Sequence, residues 1–539
     1  MDHRTPVLDA LNKMAGTLPM HMPGHKRNPC WGSAVSRLSR QGMFNIDFTE
    51  VPGLDDLHAP EEAIAEAQKL AAECFGAKHT YFLVNGASVG IMAAILACCG
   101  EGEKVLVPRN AHRCVYEGLV LSGAVPVYFQ PGYHPGLRVP LSPIKEQVLE
   151  LIDREQPVAL IMVNPTYHGA ACDMSLIECA REKGLITIVD EAHGSHFIFD
   201  ERLPKSALTR GADVVVHSTH KTLGSLTQTG LLHLGTNRIN PQAMSEALSL
   251  LQTTSPSYVL MASLDTMRAD LAEEGPRVVG RAVDLATRLR AAIPKIPGFS
   301  LADVDNGVDK SWGYDCTKIM LQSSLMNGFE LGEALRSDFC IYPELEEEAF
   351  VLLMLTVGDT AHSIGTLIQA LENISRRFED CPRCEEPQGE KVKTKYGLLT
   401  GSGSESASTS TSILTSASAL TSALEPGSVS ETASVSAAAS DSDSANSALM
   451  VPLDILPPMV LTPRQAFKSQ KVKVNLKDAV GCISGSLIVP YPPGVPVVCP
   501  GEGISAEIVE YLNLIIERGD HVQGLFLDGR EPEIWILEC

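Results

Sequence analysis

The chain has no apolar run of the ~18 residues that a membrane span requires, so no spanning segment is expected. It also lacks an excess of positive charge. The formal net charge is -22, which argues against a nucleic-acid partner, because phosphate contacts call for Lys and Arg. A secreted-type disulfide framework is missing as well. The 14 cysteines are scattered, which fits reduced thiols in a reducing compartment. Cys381-Pro382-Arg383-Cys384 has no second pair beside it, so it is read as neither a zinc nor a redox site. The start, Met1-Asp2-His3-Arg4-Thr5-Pro6, carries no apolar signal core and no long Arg/Ser-rich presequence. That predicts a cytoplasmic protein, or a plastid one if a leader is missing.

What remains is a chain of 539 residues with 44% hydrophobic residues, enough for several domains around a large core. Its centre is Val214 to Val216, an apolar β-branched run that breaks into His217-Ser218-Thr219-His220-Lys221-Thr222-Leu223-Gly224. A lysine at the end of a buried strand, among hydroxyls and histidines, suits a desolvated reactive amine. Such an amine can form a Schiff base with pyridoxal phosphate. Upstream, Leu185 to Val189 is a second apolar run, and it ends in Asp190. Pyridoxal phosphate needs a lysine for its aldehyde and an acid for its pyridinium nitrogen, and these two strand ends offer both. Taken singly, a lysine after a strand is most often a solvated loop residue.

The rest of the chain alternates strands and helices. Strands are predicted at Thr80–Val84, Lys104–Val107, Val125–Tyr128, Val158–Val163 and Thr229–Leu234. Helices are predicted at Pro60–Phe75, Ile91–Cys98, Ser142–Glu155 and Ser175–Lys183. This order predicts a mostly parallel sheet covered on both faces, with functional groups at the carboxyl ends of its strands. Gly86, Thr166, Asp190 and Ser218 all follow apolar runs. Asn85-Gly86-Ala87-Ser88 between a strand and a helix is either a plain turn or a phosphate seat made of backbone N–H groups and the Ser88 hydroxyl.

Further on, Pro241–Leu251, Ser257–Glu273 and Arg277–Ala292 read as helices. Residues 298–380 read as an α+β region with strands at Lys318–Leu321 and Ala349–Val357. Helices are expected there at Gly328–Asp338 and Ala361–Phe378. From Gly401 to Ala448 the chain is mainly Ser, Ala and Thr without aromatics, the composition of a disordered spacer. The predicted organisation is therefore an N-terminal segment (1–30), a large domain (31–295), a small α+β region (296–385), a disordered insert (386–450) and a C-terminal domain (451–539).

Several motifs resemble the ornithine/lysine/arginine decarboxylase family of fold-type I pyridoxal-phosphate enzymes, in its short form without an N-terminal wing domain. They are Val189-Asp190-Glu191-Ala192-His193-Gly194, Ser218-Thr219-His220-Lys221-Thr222-Leu223, Asp47-Phe48-Thr49-Glu50 with Leu54-Asp55-Asp56-Leu57, Asn164-Pro165-Thr166-Tyr167-His168-Gly169, and Pro490-Tyr491-Pro492-Pro493-Gly494-Val495-Pro496. Pro23-Gly24-His25 and Tyr342-Pro343-Glu344 are further likenesses.

The resemblance implies an α/β fold, a transferase-like large domain with a smaller α+β C-terminal domain, and decarboxylation of lysine, arginine or ornithine. It implies Lys221 as the cofactor lysine, Asp190 at the ring nitrogen and His112 stacked on the ring. Gly86, Ala87, Ser88, Ser218 and His220 would hold the phosphate, and Ala192 and His193 would lie along the ring. It implies a homodimer or higher homo-oligomer. Two departures stand out: Arg113 where the family usually has Lys, and Ser486 where it commonly has a Glu that could hold the substrate's distal amine. The same aspartate and lysine would serve an aminotransferase or a C–S lyase, and a non-catalytic paralogue could share the fold. His193, His196, His217 and His220 form two His-x-x-His pairs, the raw material of a metal hydrolase, although at strand ends rather than on one helix face.

Overall fold

A computed structural model describes residues 2–14, 43–137, 139–302, 313–379, 456–491, 495–517, 521–527 and 531–538, with isolated neighbours of these segments. By contacts the chain divides into Met1–Asp380 with Val451–Cys539, and Cys381–Met450. The serine-rich insert, Cys381-x-x-Cys384, the Gly24-His25 pair and Pro492-Pro493-Gly494 lie outside the described residues.

The large domain is built on a seven-stranded sheet. In chain order its strands are β1 (His79–Leu83), β2 (Lys104–Pro108), β3 (Val125–Phe129), β6 (Ala159–Val163), β7 (Ile186–Asp190), β8 (Val214–His217) and β9 (Gly230–Leu234). The hairpin β4 (Pro131–Tyr133) and β5 (Pro140–Pro143) intervenes. The spatial order is β1-β9-β8-β7-β6-β2-β3. β9 runs antiparallel to both its neighbours, and the other pairings are parallel.

The near-continuous apolar strands follow from having a core on each face. Val215, Val189 and Leu160 face one cluster. Val214, Val216, Ile188 and Ile161 face the other. Successive side chains alternate between the two cores, so no position on β8 tolerates a polar residue until the strand ends.

A smaller four-stranded antiparallel sheet follows, from β10 (Phe299–Leu301), β11 (Lys318–Ser323), β12 (Leu345–Glu346) and β13 (Val351–Met354), in the order β10-β11-β13-β12. The C-terminal part holds β14 (Lys471–Asn475), β15 (Val489–Tyr491), β16 (His521–Gln523), β17 (Leu525–Phe526) and β18 (Glu533–Leu537). These form a three-stranded and a two-stranded sheet around the helix Ala506–Glu517.

Three elements differ from expectation for identifiable reasons. The first helix of the large domain starts at Ala63, not Pro60. The Asp55 carboxylate takes the N–H groups of Glu61, Glu62, Ile64 and Ala65, so the cap comes from a loop upstream. The helix expected at Ser142 starts at Lys145, because Pro140–Pro143 is spent on the hairpin. The two helices expected around Pro276 are one helix, Tyr258–Ala292. Buried side chains on both sides of the proline, Leu271 and Val279 among them, keep it continuous at the loss of one backbone hydrogen bond.

Candidate active site

The carboxyl ends of β1, β2, β6, β7 and β8 open onto one cavity of about 530 Å³. Gly86, Ala87, Ser88, His112, Asp190, Ala192, His193, Ser218, His220 and Lys221 all line it. So every cofactor-site residue expected from the sequence borders a single space, as the strand-end rule for parallel sheets requires.

Each is positioned by local structure. Gly86 turns the chain from β1 into the helix Gly86–Cys98 with φ +82, a conformation that suits glycine. Its N–H is committed to the Gln228 carbonyl, so Gly86 supplies the turn rather than a donor. Asn85 makes no side-chain cap, which leaves the first-turn amides of Ala87 and Ser88 without an intrahelical acceptor. Amides so placed at the positive end of a helix are what an anion seat requires.

His112 is the N-cap of the next helix, Arg113–Ser122. Its Nδ1 accepts from the Cys114 N–H, which leaves the proton on Nε2. Burial lowers its pKa, opposed by Asp190 and reinforced by Lys221. Arg113 pairs along the helix with Glu117 at 3.0 Å.

Asp190 is 7% exposed, and its Oδ1 accepts from the Ala192 N–H at 3.1 Å. Lys221 lies in the short helix Thr219–Thr222 after β8. The hydroxyls of Thr219 and Thr222 do not face the cavity. They bond Ser225 and Ser195 and brace the loop. His220 Nδ1–H donates to the Thr229 carbonyl at 2.8 Å, which leaves only its Nε2 for the cavity.

Lys221 Nζ is 3.0 Å from His193 Nε2, and Lys318 Nζ is 3.0 Å from His193 Nδ1. Lys318 is the first residue of β11 and is fully buried. Its stem crosses Gly169, where an added Cβ would sit 2.9 Å from Lys318 Cγ and where φ is +102. The glycine in the Asn164–Gly169 motif is thus what lets the small sheet reach the site. Sequence reading missed Lys318, because it begins a strand like any other and nothing nearby marks it.

It also missed Glu347, a buried carboxylate that lines the cavity with its Oε1 3.3 Å from His168 Nε2. Asp190 and Glu347 are the carboxylates among the described cavity-lining residues. The wall from the C-terminal part is Leu487, Val489, Tyr491, Val495, Pro496 and Gln523. Leu487, not Ser486, reaches the cavity. Arg109 fixes this wall to the end of β2: buried, it pairs with both Glu502 carboxylate oxygens and donates to the Pro496 and Val497 carbonyls.

The four histidines of the metal reading do not converge. His217 bonds Glu191 and His233 beneath the sheet edge, and His196 Nε2 lies 3.3 Å from Asp315, while His193 and His220 face the cavity.

Known proteins match this chain in sequence and in fold. The Orn/Lys/Arg decarboxylase major domain matches residues 5–319, and the C-terminal domain of the same family matches residues 447–528. The arginine decarboxylase of Bacillus subtilis (strain 168) is 32% identical over 529 residues, covering 97% of this chain and 96% of that protein. The constitutive lysine decarboxylase of Escherichia coli (strain K12) is 24% identical, covering 90% of this chain and 72% of that protein. A solved lysine decarboxylase from Francisella novicida shares the fold with a TM-score of 0.78 at 18% identity, covering 100% of this chain and 82% of that chain. With its major domain matched over more than half the sequence and a relative at 32% identity aligned almost end to end, the chain belongs to the Orn/Lys/Arg decarboxylase family.

Proposed function

We propose that this chain removes the α-carboxylate of a basic amino acid as CO₂ with the help of pyridoxal phosphate, and that arginine is its first substrate. The observation that carries the reading is the convergence of Lys221 and Asp190, from the carboxyl ends of adjacent strands, on one cavity. The substrate order rests on relatives: those above 30% identity with a named activity are called arginine decarboxylases, and lysine decarboxylases appear at 24%.

The residues fit the cofactor. Lys221 would hold its aldehyde, Asp190 its ring nitrogen, and His112 and Ala192 its faces. The Ala87 and Ser88 amides, with Ser88, Ser218 and His220, would hold its phosphate. When bound, this group supplies an electron sink for the electrons of the breaking Cα–carboxylate bond.

The protein's share is orientation and charge. Asp190 keeps a negative charge where a protonated ring nitrogen needs one, and its bond to the Ala192 N–H fixes its aim. His112, neutral through burial, can lie against a ring without adding a cation. Glu347 would take the substrate's distal cation, the task that the Ser486 departure leaves open. The apolar wall of Leu487, Val489 and Val495 excludes water from the reacting centre and strengthens both charge contacts. We also propose a homo-oligomer in a reducing compartment. The described cysteines are in no disulfide, and no described helix is long and apolar enough to cross a membrane.

The test is a product assay with arginine, lysine and ornithine, scoring CO₂ and amine against keto acid. Arginine should give CO₂ and the amine. Keto acid as the main product would turn the reading to an aminotransferase. Lys221→Ala should abolish turnover together with the visible cofactor band. Asp190→Ala should keep cofactor binding but lose on the order of 10³-fold in rate. Near-normal rates in either variant would remove these roles.

A further inference from the structure

The three basic groups at the cavity floor cannot all hold the protons they would carry in water. His193 sits between two amines, each 3.0 Å from one ring nitrogen. Burial, followed by the nearby Lys318 and Lys221, pushes its pKa well below the ordinary range, so the ring is neutral. A neutral imidazole has one N–H donor and one acceptor nitrogen. Two ammonium groups would both need to donate to it, and only one nitrogen can accept. The arrangement closes only when one of the two amines is neutral and accepts the ring's N–H.

We propose that Lys318 is the proton acceptor for Lys221, reached through the imidazole of His193, so that one proton is shared by the two amines. This rests on the reading of Lys221 as the cofactor lysine. An amine must be unprotonated to add to an aldehyde, and Lys221 reaches that state by one balanced shift. The Lys221 ammonium gives a proton to His193 Nε2 while His193 Nδ1–H passes its proton to the neutral Lys318 amine. Lys318 ends as the ammonium, the ring changes tautomer, and the total charge is unchanged. The reverse shift returns the proton when the substrate displaces Lys221.

The surroundings suit a store of this kind. Lys318 bonds His193 and feels the charges of Asp315, Glu344 and Lys221, with the Tyr167 ring 5.8 Å from its nitrogen. Burial brings its pKa down to about 8, against the pull of Asp315 and Glu344, so the neutral amine that accepts the proton is a minor form at pH 7 and the major form above about pH 8. Tyr167 also packs edge-on against His193, with ring centroids 4.9 Å apart, and its hydroxyl donates to Glu344. The ring that must change tautomer is thereby held in place. Lys318 acts through His193 and is a positioning residue, not one that meets the substrate.

The experiment follows capture of pyridoxal phosphate by the cofactor-free full chain, read as growth of the visible band across a range of pH. In Lys318→Met the acceptor is gone and Lys221 keeps its proton. Capture near neutral pH should slow by about tenfold or more and recover only as the pH is raised. In Lys318→Arg the guanidinium cannot lose its proton and always donates to Nδ1. That forces Nε2–H onto Lys221 and keeps it neutral, so capture should match or exceed the wild type and lose its pH dependence across neutrality. Opposite signs in the two variants are what a merely structural lysine would not produce. An unchanged pH profile in Lys318→Met overturns the proposal.

Should the variants fail to fold, nitrogen NMR of the wild-type histidines decides. His193 should stay neutral and change tautomer over the pH range in which capture rises. An imidazolium, or one fixed tautomer throughout, overturns it. Lys221→Ala separates the two layers. If that chain still develops the band, the reading of Lys221 fails. If the band needs Lys221 but ignores Lys318, only the relay fails.

Discussion

Two buried chains of hydrogen bonds run through histidines on opposite sides of the sheet edge, and they end differently. Beneath the edge, Glu191 Oε2 is 2.9 Å from His217 Nε2, His217 Nδ1 is 3.1 Å from His233 Nε2, and His233 Nδ1 is 2.8 Å from the Thr80 hydroxyl. A carboxylate closes one end and a hydroxyl the other, so each ring can donate on one side and accept on the other. Every proton in that chain has one place to be. Facing the cavity, His193 has an amine at either end and its proton has two places. The same residue type builds a rigid support in one chain and a movable proton in the other, and the terminal groups decide which.

The neighbours Asp190 and Glu191 show how one strand serves both. Asp190 faces the cavity, while Glu191, fully buried, takes bonds from Asn164, Ser206, Ala207 and His217. The largest way to break the comparison is therefore Glu191→Leu. It leaves four buried donors unpaired and should cost about 3–5 kcal/mol of stability, read as a drop in the denaturation midpoint. Glu191→Gln keeps an acceptor for Asn164 and Ala207 but turns an N–H toward the others, so its loss should be roughly half as large. Equal losses in the two would mean that the side chain's volume matters and its acceptors do not.

Much of this was legible in the sequence, and the reason is local. Val214 to Val216 and Thr187 to Val189 are buried on both faces, so composition alone marks them as central strands, and the polar residue that ends each run is placed by the strand's end. Asp190 and Lys221 were read that way, Ser88 from the glycine turn that precedes a helix, and His112 only from the family resemblance. Lys318 and Glu347 were not, because their placement depends on how the small sheet docks, through Gly169 and the His168–Glu347 contact. Nothing within a few residues of either encodes that contact. The Asp55 cap failed for the same reason: a carboxylate reached forward six to ten residues, beyond the span in which helix starts are read.

The second prediction uses pH. Burial holds His233 and His193 well below the ordinary histidine pKa in the folded chain. In the unfolded chain they titrate near about 6.5, so below that pH the unfolded state binds more protons. Stability is therefore present in full above about 6.5 and declines as pH falls below it. His233→Phe, packed like the wild-type ring against Phe75, should reduce this slope between about pH 6.5 and 5 by roughly a third, since His112 is lowered by burial as well and one of three such histidines is gone. A slope that is unchanged in thermal scans at several pH values would put the acid sensitivity elsewhere.

The smallest effect should come from the far end of the support chain. Thr80→Val keeps the shape of the side chain and removes the hydroxyl that His233 Nδ1 accepts from, at a cost of about 1 kcal/mol. No cavity-lining group loses a partner. The KM for the amino acid and the pH profile of cofactor capture should stay as they are, while the unfolding midpoint moves by a few degrees at most. A shift in the capture profile would mean that proton positions beneath the sheet are coupled to those at Lys221. The two histidine chains would then be one network, joined through the backbone at the end of β7, where Asp190 lines the cavity and Glu191, the next residue, is buried away from it.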